Sequence, residues 1–303
     1  MSSIIIKVNH LTKDFGEIKA VDDLSFTVEA GQVYGFLGQN GAGKSTTIRM
    51  LLTLIQPTRG SIEIFGMDLL KNRREILKRI GAIIERPDLY KYLTALENVR
   101  IFSLLSGIKI PEKKLMDQLA MVGLADRARS KVKTYSQGMK QRLGLACSLI
   151  HDPELLILDE PTNGLDPQGI ADMRGMILHL SHDLGKTIVV SSHLLSEMEV
   201  TADSMLIINK GRKVVEGRVD QLLNPDTSLV ELKTMDTSTA LSFIQHSGWQ
   251  SYLKKHNEEG IWLDMNKKMI PQLNKELVEN NIGVMSLRPV DSLEDYFLAQ
   301  TRE

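Results

Sequence analysis

Short apolar runs alternate with longer stretches in which apolar residues return every third or fourth position, up to about residue 220. IIIKV at 4–8 and the segment 24–28 predict strands at an antiparallel edge. VYGFL at 33–37 has no charged interruption, as expected of a strand buried on both faces, and runs directly into a glycine-rich turn. Ile48, Leu51, Leu52 and Ile55 then mark one face of a helix that stops at Pro57. Strands follow at 61–65 and 81–85, then a mostly helical stretch at 94–150. Further strands are expected at 154–159, 186–192 and 204–209, the last turning through Lys210 and Gly211 into RKVVEG. Buried strands separated by helices predict an α/β fold whose ligands sit beyond the strand C-terminal ends.

Near residue 220 the pattern changes. NPDTS at 224–228 is a turn and linker cluster. Beyond it the order is strand (229–233), helix (237–246), strand (249–255), strand (260–265), helix (267–279), strand (284–288) and a closing helix, LEDYFLAQ. We therefore divide the chain into a first domain, 1–220, and a small α+β domain, 221–303, of ferredoxin-like element order. A length of 303 residues accommodates both.

Composition narrows the partners. Lys and Arg total 37 against 38 Asp and Glu, a net charge of −1. That balance argues against affinity derived from a nucleic-acid backbone, so no nucleic-acid partner is expected. The single cysteine, Cys147, excludes an internal disulfide framework and reads as a packing residue. The start MSSIIIKVNH lacks a secretory pattern and no run of 18 apolar residues occurs, which predicts a cytoplasmic chain that does not cross a membrane by itself.

The chemistry concentrates in a few segments. GQNGAGKST at 38–46 fits G-x-x-x-x-G-K-[ST] between a predicted strand and a predicted helix. Gly38, Gly41 and Gly43 let the backbone turn tightly and aim N–H groups at phosphates, while Gln39, Asn40, Ala42 and Thr46 complete the loop. Lys44 reaches the β- and γ-phosphates, and the Ser45 hydroxyl is a hard oxygen ligand for Mg²⁺. LLILDEP at 155–161 is an apolar strand ending in two acids. There Asp159 serves Mg²⁺ and Glu160 orients or deprotonates an attacking water. Ser136 and Gly138 open a second strong helix and so form a second anion site. His193, in SSH at the end of a later strand, stands where it can touch a γ-phosphate, whereas the other histidines read as structural.

In this combination and order the sequence resembles the ATP-binding subunits of ABC transporters over residues 4–220. GQNGAGKS matches the Walker A loop, LLILDE the Walker B strand, YSQGM the family signature, NGLDP the D-loop and SSH the switch histidine. The resemblance implies a P-loop NTPase core of the ABC ATPase type: a mixed sheet with an antiparallel edge plus a helical subdomain at about 94–150. It also implies that Phe15 stacks on adenine and that Asp166, in the D-loop, is one of the nucleotide-binding residues. Two chains, or a chain and a paired ATPase subunit, would sandwich ATP and Mg²⁺ head to tail. Lys44, Ser45, Asp159, Glu160 and His193 of one would share each nucleotide with Ser136 and Gly138 of the other. Where the family usually carries a metal-bridging glutamine, this chain has Glu85, which keeps an oxygen for the metal and adds a charge.

That glutamate, with YSQGMKQR, is similar to the lantibiotic-immunity and bacitracin-resistance exporters of the ABC-2 type. The implied activity is ATP hydrolysis that powers export of peptide antibiotics, drugs or related amphiphiles through a separately encoded integral-membrane permease. The chain would then sit peripherally on the cytoplasmic face of the membrane. The segment 292–301 resembles the tail of such ATPases, with Leu293, Tyr296 and Phe297 as core of the small domain. Two rivals are a non-transport ATPase of the same superfamily acting on DNA or ribosomes, and a phosphate-loop kinase. The first generally needs long coiled coils or two ATP-binding halves; the second leaves the signature helix and SSH unexplained.

Overall fold

The computed structural model describes residues 3–223, 228–257 and 260–289. The expected closing helix at 293–300, with Leu293, Tyr296 and Phe297, lies outside them. The chain divides into two compact units, Met1–Gly217 and Arg218–Glu303.

In the first unit, β1 (Ile4–Phe15) and β2 (Ile18–Glu29) form an antiparallel pair, followed by β3 (Val33–Leu37) and α1 (Lys44–Leu51). Next come β4 (Arg59–Ile64), β5 (Met67–Asp68), α2 (Arg73–Leu77) and β6 (Ile80–Ile83). The helical stretch resolves into α3 (Ala95–Leu105), α4 (Glu112–Met121) and α5 (Gln137–Leu149). The unit closes with β7 (Leu155–Asp159), α6 (Pro167–Leu178), β8 (Thr187–Ser192), α7 (Leu195–Thr201), β9 (Ser204–Asn209) and β10 (Arg212–Arg218). One sheet runs β2-β1-β4-β5 with antiparallel pairing; the other runs β10-β9-β3-β8-β7-β6, with parallel pairing from β9 through β6. This is the α/β fold with an antiparallel edge that the motif order implies.

β1 and β2 are far longer than their apolar runs. Their outer halves alternate polar with buried positions (Leu11, Val21), and register shifts are absorbed at His10 and Asp23, both in the left-handed region. A strand continued by alternation and a bulge leaves no continuous apolar run to read.

Two features set the site. Leu155 to Leu158 are all fully buried, since β7 lies inside a parallel sheet covered on both faces. In the sheet order β8 separates β3 from β7, so the loops after all three leave the same edge side by side, with Leu37 opposite Ser192 and Asp159 opposite Ser191. The helical stretch has its own apolar core, around Leu96, Val99, Leu115, Leu119 and Leu143, and α3 opens with a capping box between Thr94 and Glu97. Cys147 lies in that core; burial pushes its thiol up to about 12, which makes it inert.

The second unit contains α8 (Val219–Leu223), β11 (Ser228–Thr234), α9 (Thr237–Gln245), β12 (Leu253–Asn257), β13 (Gly260–Met265), α10 (Ile270–Glu279) and β14 (Val284–Pro289). Its sheet order, β12-β13-β11-β14 with antiparallel pairing throughout, is that of a ferredoxin-like α+β fold. Asp236 caps α9 through the N–H groups of Ser238 and Thr239. The segment 250–252, expected in a strand, is a tight helical turn, which carries Trp249 into the core and lets its indole donate to Glu276 at 2.6 Å.

Candidate active site

The residues after β3 form a cradle. Gly41 and Gly43 have φ of 83° and 106°, and a Cβ on Gly43 would stand 2.6 Å from the Ala20 carbonyl oxygen, so glycine is required there. A Cβ on Gly38 would likewise stand 2.6 Å from the Ile208 carbonyl oxygen. Gly43 precedes α1, whose first N–H groups and dipole face the cradle. Lys44 is only 5% exposed and donates to Gly38 O at 2.7 Å and Gln39 O at 3.4 Å.

The ends of β7 and β8 close the other wall. Glu160 has φ 49°, unusual for a residue with a Cβ, and its N–H is held by Ser191 Oγ at 3.0 Å. The same hydroxyl donates to Asp159 Oδ1 at 2.5 Å. Asp159 is fully buried, and its Oδ2 has no hydrogen-bond partner among the described residues. The Glu160 carboxylate lies 3.3 Å from Lys44 Nζ through Oε1 and 2.8 Å from His193 Nδ1 through Oε2. A cleft of about 350 Å³ results, lined by Gln39, Asn40, Gly41, Gly43, Lys44, Ser45 and Thr46 together with Glu160 and His193. Gly38 and Ala42 back it; Gly38 O holds the lysine, and Ala42 is buried. Asp159 is buried behind the lining rather than on it. A chamber of backbone N–H groups, one buried ammonium and the Glu160 carboxylate, backed by Asp159, suits a polyphosphate with a divalent cation.

Ser136, Gly138 and Asp166 are not in this cleft. They line a second one of about 380 Å³, with Arg142, Gly164 and Gln168. Ser136 caps α5 by accepting the Met139 N–H at 3.2 Å, and Asp166 caps α6 by accepting the Gly169 N–H at 2.9 Å. Tyr135 anchors the turn just before Ser136, donating to Arg127 O at 2.6 Å; burial raises its phenol above the ordinary value. The two clefts share no lining residue.

Two expected residues sit elsewhere. Glu85 does not line the cleft; its side chain is 63% exposed and its carboxylate lies 2.6 Å from Arg49 Nη2 on the far part of α1. A guanidinium within reach captures an exposed carboxylate in preference to a site it does not face. Phe15 ends β1 half-exposed, outside the cleft lining, with the Lys13 ammonium 4.9 Å from its ring centroid.

Comparison with known proteins fits this geometry. A profile described as "ABC transporter" matches residues 21–163. The bacitracin transport ATP-binding protein BcrA of Bacillus licheniformis is 46% identical over 299 residues, 98% of this chain and 97% of that one. The chain belongs to the ABC transporter ATP-binding family. The lantibiotic transport ATP-binding protein SrtF of Streptococcus pyogenes is 42% identical over 216 residues, 71% of this chain and 92% of that one. Among solved structures, the ATP-binding cassette MJ0796, a dimer in a post-hydrolysis state bound to ADP and Pi, superposes with a TM-score of 0.64 at 25% identity. It covers 71% of this chain and 99% of that one. The protein is an ABC-type ATPase, and it binds ATP. Among the described residues no helix is long and apolar enough to cross a membrane.

Sequence reasoning missed three features of this ABC site. Ala20, from β2, lines the first cleft because the antiparallel edge folds over it, a placement no local pattern records. Asn163 also lines it, and the neighbouring Gly164 and Asp166 line the second cleft, so one short loop borders both. The signal for Asn163 was at hand, since it opens NGLDP. The third, Glu197, is taken up below.

Proposed function

We propose that this chain hydrolyses ATP to power export through a separately encoded integral-membrane permease, with peptide antibiotics, drugs or related amphiphiles as cargo. On this reading it acts at the cytoplasmic face of the membrane. The observation that carries the dimeric part is the pair of clefts, each furnishing only half of what a polyphosphate needs. The first supplies the cradle, Lys44, Glu160 and His193; the second offers the helix N-terminus capped by Ser136, with Gly138. Two chains packed head to tail would complete two sites, as a closed two-fold dimer permits. The cargo rests on the bacitracin and lantibiotic transport relatives.

The donor set fits Mg²⁺. Ser45 and Asp159 offer hard oxygens, and the orphaned, buried Asp159 Oδ2 calls for a donor such as an ion's hydration water. When bound, the ion would neutralise phosphate charge. Lys44 leaves the Gly38 and Gln39 carbonyls for the β- and γ-phosphate oxygens, and Glu160 loses its ammonium neighbour. Glu160 then takes the proton of a water aligned with the γ-phosphorus, while His193 steadies the carboxylate and faces the developing charge. Phe15 supplies a ring face for adenine and Asp166 borders the shared nucleotide. Glu85, held by Arg49 outside the cleft, acts mainly in coupling to the permease.

The test is capture of the Glu160→Gln protein with Mg-ATP from its native membranes. A polytopic permease is the expected companion. Ribosomes or DNA-bound proteins with no membrane partner would overturn the transport reading. The shared site has its own test. Ser136→Arg fills the second cleft and leaves the first untouched, so each chain should bind ATP within roughly threefold of the parent. In the Glu160→Gln background the ATP-dependent dimer should vanish in light scattering. A dimer that persists would show that Ser136 does not face the nucleotide.

A further inference from the structure

Glu197 takes no part in the chemistry above, although it is a carboxylate only 8% exposed. It lies on α7, four residues after His193. Its Oε2 accepts from Thr162 Oγ1 at 2.8 Å and from Ser192 Oγ at 2.9 Å. Ser192 Oγ itself accepts the Leu194 N–H at 3.0 Å. Thr162 stands two residues after Glu160, and Ser192 stands immediately before His193. One buried oxygen therefore ties the loop that carries Glu160 to the strand end that carries His193. On the cleft side those two residues meet again, at 2.8 Å.

Such a group is costly to bury unless hydrogen bonds replace the water it loses. The cavity beside it, about 10 Å³ and bordered by Arg174, is at the limit of a single water, so the two hydroxyls do most of the holding. Hydroxyl bonds to an ionised carboxylate are short and about twice as strong as neutral ones. A clamp of that strength, one or two residues from each reacting group, fixes their separation where backbone alone does not: Glu160 is already in a left-handed conformation that needs outside support.

We propose that Glu197 is a positioning residue for ATP hydrolysis, clamping the Glu160 loop to the His193 strand end through Thr162 and Ser192. The proposal rests on Glu160 and His193 being the reacting pair. A group that only stabilised the fold would lower the melting temperature and leave turnover by the folded protein unchanged. A clamp acts on turnover, because small misplacements of a base near its water cost one to two orders of magnitude in rate.

The experiment measures kcat and KM for ATP on the full chain carrying Thr162→Val, Thr162→Ser or Glu197→Gln, each also combined with His193→Ala. Thr162→Val keeps the side-chain shape and cuts one arm of the clamp, so it remains informative if Glu197→Gln folds poorly. Expected is a fall in kcat of about tenfold for Thr162→Val and for Glu197→Gln, with KM within about threefold. Thr162→Ser restores the hydroxyl and returns kcat to within about threefold of the parent. On the His193→Ala background the same substitutions cost less than about twofold more, because the clamp acts through the pair. An unchanged kcat, a loss confined to KM, a failed rescue by serine or an additive loss with His193→Ala each overturns the clamp. Glu160→Gln is measured in parallel: wild-type turnover there would refute the reacting pair itself, a failure distinct from that of Glu197.

Discussion

Glu160→Gln is expected to lower ATP turnover by roughly 100- to 1,000-fold while nucleotide affinity stays within about threefold of the parent. The geometry makes this the sharpest test of the site. The substitution preserves shape and the Oε1 acceptor but removes the basic oxygen that faces the cleft. The carboxylate now stands between an ammonium at 3.3 Å and an imidazole at 2.8 Å. On the proposed mechanism ATP would draw Lys44 away toward phosphate, so the base would be less neutralised when the water must be deprotonated. A glutamine cannot take that proton. Binding is assigned to the cradle and Lys44, which the change leaves in place although it neutralises the carboxylate beside the ammonium, so the ATP-bound dimer should accumulate and be seen in size-exclusion chromatography with Mg-ATP. Hydrolysis at the parent rate would remove Glu160 from the reaction.

Lys44→Ala is expected to weaken ATP binding by roughly 100-fold or more, since each charge-assisted bond to phosphate contributes about 1.5–3 kcal/mol and the proposed role has the ammonium serve two phosphates. The same change leaves the Gly38 carbonyl without its donor and Glu160 without its buried cation. Some loss of thermal stability therefore accompanies the loss of affinity. Calorimetric titration with ATP, alongside a melting curve, separates the two. Lys44→Arg should not rescue, because a planar guanidinium does not fit a cradle whose Gly43 approaches the Ala20 carbonyl to within contact distance of a single added carbon. Retention of parent affinity by Lys44→Ala would contradict the cradle as the phosphate site.

Much of this site could be read along the chain because its chemistry is contiguous. A phosphate loop needs glycines, a lysine and a hydroxyl within one turn between a strand and a helix, and the acidic pair needs only the end of an apolar strand. Those demands act on neighbours in sequence, so GQNGAGKST, LLILDE and SSH announced the nucleotide and the fold class together. The α/β alternation followed from the two periods of apolar residues, and the ferredoxin-like order of the second unit from the succession of its elements.

The tertiary structure alone decided the rest, because strand order is a matter of long-range hydrogen bonding that local periodicity does not encode. Placing β8 between β3 and β7 is what brings His193, Glu160 and Lys44 within 3.3 Å of one another along a chain of contacts. The same packing turns Ser136 and Asp166 into a separate cleft, gives Glu85 to Arg49, and buries Glu197 against two hydroxyls, one from the loop after β7 and one from the end of β8. β1 and β2 outran their apolar runs because alternation and bulges carry a half-buried pair where continuous hydrophobicity ends. Residue types at short spacing were thus written in the sequence. Which side chains face each other across the sheet edge emerged only when burial of apolar surface and pairing of backbone groups were satisfied together.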